Sequence, residues 1–176
     1  MPNSRSTLMA DLLSKPVVMG KPQLSHGRLR CKITEVVLDN TEAAGHLVPL
    51  CRLKSTDKIL KVEIANPAIA GATDVNVGLW TAVDWTLADG VAKDADIIID
   101  GITLGTAHIG YFDYAGAAAA GAGARTAAQM DRLVWEDAGD TTAPITGTQY
   151  DLVMQFVADP GAAATIGVCV YYLAGD

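Results

Sequence analysis

Between Lys58 and Trp80 apolar and polar residues alternate twice, with a break between the two runs, and no other stretch restricts the fold as much. Leu60, Val62 and Ile64 alternate with Lys61 and Glu63; Val75, Val77 and Leu79 alternate with Asp74, Asn76 and Gly78. Successive side chains of a strand point to opposite faces, so this period predicts two half-buried strands. Asn66-Pro67 ends the first strand, because proline lacks a donor N–H and restricts the residue before it. Gly71-Ala-Thr73 then lets the chain turn back, which predicts a hairpin. Trp80 falls on the polar face of its strand. An outward tryptophan offers a large apolar area at low entropic cost, so Trp80 is a candidate interface residue.

The same period recurs along the chain. Leu29, Cys31 and Ile33 alternate with Arg30, Lys32 and Thr34, after which Val36 and Leu38 continue the apolar series in the other phase, a slip that predicts a β-bulge. Asp39 to Gly45 is turn material, and His46 to Leu53 is a further strand in which Pro49 predicts an edge position or a bulge. Residues 96–104 give a short apolar strand bounded by carboxylates. Tyr150, Leu152, Met154 and Phe156 form one apolar row and Ile166, Val168, Val170 and Tyr172 another, with Asp159-Pro-Gly161 turning between them as a second hairpin. The glycine-rich tract Ala115 to Ala124 reads as a loop, and the capping-box spacing from Thr126 to Gln129 predicts a short helix over Ala127 to Val134, with a strand through Leu133 to Trp135 as the competing reading. Seven or eight short strands with uneven loops predict an all-β fold: an antiparallel β-sandwich, jelly-roll-like or Greek-key, with one short helix at most.

A chain of 176 residues suits one domain, able to bury about 70% of its unfolded surface. Residues 1–27, punctuated by Pro2, Pro16 and Pro22, read as an extended N-terminal arm preceding a sandwich over 28–176. The arm lacks the unbroken apolar run of a signal peptide, which predicts synthesis in a cytoplasm, and no stretch is apolar enough to predict a membrane partner. The net charge of -7 argues against nucleic acid, whose phosphates need clustered cations. That average conceals an asymmetry. Residues 1–32 carry six basic side chains against Asp11, net +5, and the remaining 144 carry 7 basic and 19 acidic, net -12. A basic arm on an acidic body predicts self-association in which each arm meets an acidic neighbour. Lys15, Lys21, Arg28 and Arg30 are the expected cross-interface cations.

Reactive chemistry is hard to place. Every serine lies at or before Ser55, with no Gly-x-Ser-x-Gly, and the three histidines (His26, His46, His108) are scattered. Cys31, Cys51 and Cys169 lack a Cys-x-x-Cys spacing and read as reduced, buried thiols. Asp94, Asp96 and Asp100, and separately Glu136, Asp137 and Asp140, match no calcium loop and read as solvated acidic edges. The expectation is a protein without cofactor or metal, and not an enzyme. Trp80, Trp85, Trp135 and the Tyr111-Phe-Asp-Tyr114 segment leave a carbohydrate-binding module as an alternative.

With its basic, proline-punctuated arm and the strand pieces Arg28 to Ile33, Leu47 to Leu53, Lys58 to Ala65, Thr73 to Leu79 and Ile166 to Tyr172, the layout of the chain resembles small structural proteins of tailed bacteriophages, head decoration (cement) proteins above all. The resemblance implies a sandwich on the outside of an icosahedral shell, commonly a trimer, whose arm reaches a neighbouring subunit or the major capsid protein. A tail or head-completion role is the related alternative.

Overall fold

The computed structural model describes residues 28–82, 90–114, 127–145 and 147–175. Lys15 and Lys21, with the rest of the arm, Trp85, the Ala115 to Ala124 tract and Thr126 lie outside the described residues. The described chain forms eight strands: β1 (Arg28–Leu38), β2 (His46–Lys54), β3 (Lys58–Asn66), β4 (Val75–Thr81), β5 (Ala92–Ile102), β6 (His108–Asp113), β7 (Gln149–Phe156) and β8 (Ala164–Ala174). Two single helical turns, α1 (Ala127–Met130) and α2 (Val134–Asp137), stand where one short helix was expected. The strands make two antiparallel four-stranded sheets, a front sheet in the order β1-β8-β3-β6 and a back sheet in the order β2-β7-β4-β5. The fold is the all-β sandwich that the alternation predicts.

Both expected hairpins are open arches instead. β3 lies in the front sheet and β4 in the back sheet, and the final pair, β7 and β8, is split in the same way. Alternation specifies which side of a strand is buried; it does not specify the neighbouring strand. Eight residues separate β3 from β4, enough to cross a core about 10 Å thick. The crossing is pinned by main-chain bonds from Ile69 N to Leu104 O (2.9 Å) and from Leu104 N to Ala72 O (2.8 Å). At the other arch, Gly161 takes φ +60° and donates its N–H to Asp159 Oδ1 at 2.8 Å, a turn that glycine adopts without steric cost.

The core lies between the sheets. Val36 and Leu38 of β1, Ile59, Val62 and Ile64 of β3 and Ile166, Val168 and Val170 of β8 meet Leu53, Val77, Leu79, Leu152, Met154 and Phe156 of the back sheet. Two register details differ from the alternation. β1 pairs with β8 from Arg28 to Leu38 without interruption, so no bulge re-phases it. Val36 and Leu38 set the inward phase, and Leu29, Cys31 and Ile33 therefore face outward. In β3 the shift comes between Ile59 and Lys61, so that Ile59 and not Leu60 enters the core. Pro49 meets both expectations: β2 is an edge strand, and its register shifts between Pro49 and Cys51. Residues 133–135 are not a strand. Val134 N donates to Asp57 O (2.8 Å) and Trp135 N to Ser55 O (3.3 Å), docking α2 on the β2–β3 turn. Glu136 Oε2 accepts the Leu133 N–H at 2.7 Å and holds the start of that turn of helix.

Candidate functional site

The phase of β1 decides where its charges go. Once Val36 and Leu38 face the core, Arg28, Arg30 and Lys32 project from the same side near the start of the strand, where the front sheet faces the β2 edge of the back sheet. Together with Arg52 and Lys54 of β2, and with Asp57, they line a cleft of about 480 Å³. Five cations therefore converge at one edge of an acidic protein. Two of them are committed internally. Arg52 forms a bidentate pair with Asp151, Nε to Oδ1 at 2.7 Å and Nη2 to Oδ2 at 2.9 Å. Lys32 Nζ donates to Arg52 O at 2.7 Å and lies 5.9 Å from the centre of the Tyr172 ring. Asp57 is buried and accepts the N–H groups of Lys54 and Gly175, each at 2.8 Å. Arg28, Arg30 and Lys54 form no ion pair among the described residues. Burial pushes the Tyr172 phenol at the cleft wall above its ordinary value. The cleft therefore carries an excess of positive charge.

Of the residues expected at an interface, Arg28 and Arg30 are brought together here, whereas Trp80 is not available. It lies on the face opposite Val77 and Leu79, as the alternation indicates, yet it is only 3% exposed. The physical reason is visible at Gly78, where a Cβ would fall inside the backbone of Asp94 and Ala95: the β5 main chain lies directly over this face of β4. The outward anchor is therefore absent, and Trp80 presents no platform to a glycan. Reading charge along β1 and β2 separately would have pointed to Lys32, Arg52 and Lys54, because each pair shares a strand face. That the two strands confront one another is a tertiary fact.

The cysteines, the histidines of β2 and β6, and the second acidic cluster have partners or are buried. Cys31 is exposed rather than buried, and its thiol is pushed up to about 11, first by a hydrogen bond with Cys169 and then by desolvation. Burial pushes Cys51 up to about 12. Thiols held protonated in this way are poor nucleophiles. His46 lies 6.5 Å from the Phe156 ring, and His108 stacks on Phe112 at 5.0 Å. Glu136 caps α2, Asp137 is buried, and Asp140 accepts hydrogen bonds from Lys93 (2.8 Å) and the Tyr150 hydroxyl. Among the described residues no three His, Cys, Asp or Glu side chains are grouped to hold a metal ion. The Tyr111 to Asp113 segment is the edge strand β6 rather than a loop, with Tyr111 half-exposed.

No protein-family model and no curated protein matches the sequence. The fold does have counterparts. A chain of the structure described as "Capsid of Ralstonia phage GP4" superposes with a TM-score of 0.57 at 14% identity, over 85% of this chain and 86% of that one. A chain of "Cyanophage Pam1 capsid asymmetric unit" aligns over 99% of both chains with a TM-score of 0.49 at 15% identity. At 14% identity the first likeness shows a shared sandwich fold, and it spans nearly the full length of both chains.

Proposed function

We propose that this chain is a non-enzymatic structural protein of a bacteriophage virion, which decorates and stabilises the head by bridging capsid subunits. The observation that carries this reading is the likeness in fold to a phage capsid chain, which extends over 85% of the residues. The strand order supports it. Sheets of order 1-8-3-6 and 2-7-4-5 have the winding of a jelly roll, a fold used by viral capsid domains. The partners are the major capsid protein and further copies of the chain, with a trimer favoured. The arm, including Lys15 and Lys21, continues into Arg28 and Arg30 and reaches a neighbouring subunit.

Deleting residues 1–26 tests the reading. The sandwich should remain folded by circular dichroism while attachment to the phage head, measured by co-sedimentation with heads lacking the protein, is abolished. Normal attachment without the arm would sink the bridging role. Imaging the protein on the particle distinguishes the head from the tail or head-completion alternative.

A further inference from the structure

The two edges of the sandwich are oppositely charged. Along β1 and β2, Arg28, Arg30, Lys32, Arg52 and Lys54 stand against Glu35, net +4. At the far edge, along β5 and β6, Lys93 stands against Asp94, Asp96, Asp100 and Asp113, net -3. Lys93 is itself occupied by Asp140, so it does not neutralise the aspartates beside it in sequence. Asp94, Asp96 and Asp100 form no ion pair among the described residues. Burial, and then the neighbouring Asp96, push the Asp94 carboxyl above its ordinary value, and a cation beside it would favour the ionised form.

Height along the strands matters as much as sign. One row of the back sheet runs Arg52, Asp151, Trp80, Ala92, and Asp94 stands opposite the adjacent Leu79. The cationic cleft and the Asp94–Asp96 pair therefore lie at the same level on opposite edges. A head-to-tail contact between unlike patches forms a ring when successive copies are related by rotation alone, and a filament when they also climb. Patches at one level let successive copies meet without climbing along the strand direction. Exposed apolar side chains occur on both edges, at Leu29 and Ile33 on the outer face of β1 and at Val91 immediately before β5.

We propose that copies of this chain associate head to tail, the cleft formed by Arg28, Arg30 and Lys54 of one copy receiving the Asp94 and Asp96 carboxylates of the next. The proposal deepens the structural-protein reading on which it rests, since it names the contact that makes the oligomer. The occupant is a second copy because complementary charge, matching level and exposed apolar side chains are all present on this one chain. Much of the attraction is exposed and therefore screened by salt.

The test is a charge swap in the full-length protein, read as self-association by sedimentation equilibrium. The triple variant Arg28→Glu, Arg30→Glu, Lys54→Glu leaves the Arg52–Asp151 pair and the Lys32 bond in place, so its circular dichroism should match the unaltered chain. It and the double variant Asp94→Arg, Asp96→Arg should each associate at least about tenfold more weakly, and combining all five changes should restore association to within about threefold. A chain that is monomeric throughout, single reversals without effect, or a combined variant that stays dissociated would each overturn the contact. Those results would leave the virion role standing if the protein is still imaged on particles. A charge-sensitive oligomer absent from particles would overturn the virion role instead.

Discussion

The front and back sheets share one core but present different outer surfaces. On the back sheet, Asp151 and Val153 of β7 are 0% exposed and Trp80 of β4 is 3% exposed, although all three point away from the core. On the front sheet, Cys169 of the central strand β8 is likewise only 3% exposed, but the outward row of the edge strand β1 is open: Leu29 is 64%, Ile33 72% and Val37 68% exposed. The back sheet is thus covered on both sides within a single chain, with β5 drawn across Gly78 and the Arg52 guanidinium set over Asp151. The front sheet leaves a row of large apolar side chains in solvent, on an edge strand. Exposed apolar side chains gathered along one strand mark a surface used by partners. The difference separates a back sheet closed over its central strands from a front-sheet edge left open to solvent.

Several substitutions would break that distinction. The largest effect is expected at Gly78→Ala, whose methyl group has no space beside the Asp94–Ala95 main chain; β5 must lift, at a cost of at least about 3 kcal/mol measured by urea denaturation. An effect below about 1 kcal/mol would show that the back sheet is not sealed there. Next is Arg52→Ala, which strands a fully buried carboxylate. Because the guanidinium is itself 22% exposed, water recovers part of the loss, and about 2 to 4 kcal/mol is expected in the same measurement.

A matched pair of substitutions sharpens the contrast between the faces. Val153→Ser on the back sheet should cost about 2 kcal/mol or more, whereas Ile33→Ser on the front sheet should change monomer stability by no more than about 0.5 kcal/mol. Both are best measured in the dissociated charge-reversed background, so that folding alone is read. Equal costs would erase the distinction.

The smallest effect concerns the thiols. Cys31 is held up to about 11 and Cys51 to about 12, against an ordinary 9.0, so folding favours their protonated forms. Their contribution to stability is complete below pH 9 and is lost progressively as the pH climbs toward these values. Alkylation followed by mass spectrometry should therefore modify Cys31 slowly at pH 8 and faster as the pH rises, with Cys51 protected throughout by burial. Rapid labelling of Cys51 in the native protein would contradict the closed back sheet.

Much of this architecture was legible residue by residue. The inward rows Val75, Val77, Leu79 and Ile166, Val168, Val170 were read directly, because a buried face imposes its period on the sequence. So was the double role of Pro49, since a residue without an N–H must sit at an edge or at a break in the ladder. The misreadings share a cause. Leu29, Cys31 and Ile33 are apolar and were assigned inward, yet the strand stays in the phase of Val36 and Leu38 and carries them outside. Apolarity alone does not distinguish a core from a docking surface. Trp80 was misjudged in the opposite sense, its face correctly assigned but taken as open, because a one-strand period says nothing of what lies above the sheet. The cleft was half legible: Arg28 and Arg30 stood out for charge, while Arg52, Lys54 and Asp57 join them only because β1 and β2 are the adjoining edges of opposite sheets.

By itself, then, the sequence determined the fold class, the positions of most strands, the buried side of several of them, and the uneven distribution of charge. These are local properties, set by side-chain alternation and composition over a few residues. Only the tertiary structure decided which strands pair, that both expected hairpins arch between sheets, that the back sheet is sealed, and that five scattered cations share one cleft. Those outcomes depend on contacts between residues distant in sequence, such as Arg52 with Asp151 or Gly78 with the Asp94–Ala95 backbone, and no local period encodes such contacts.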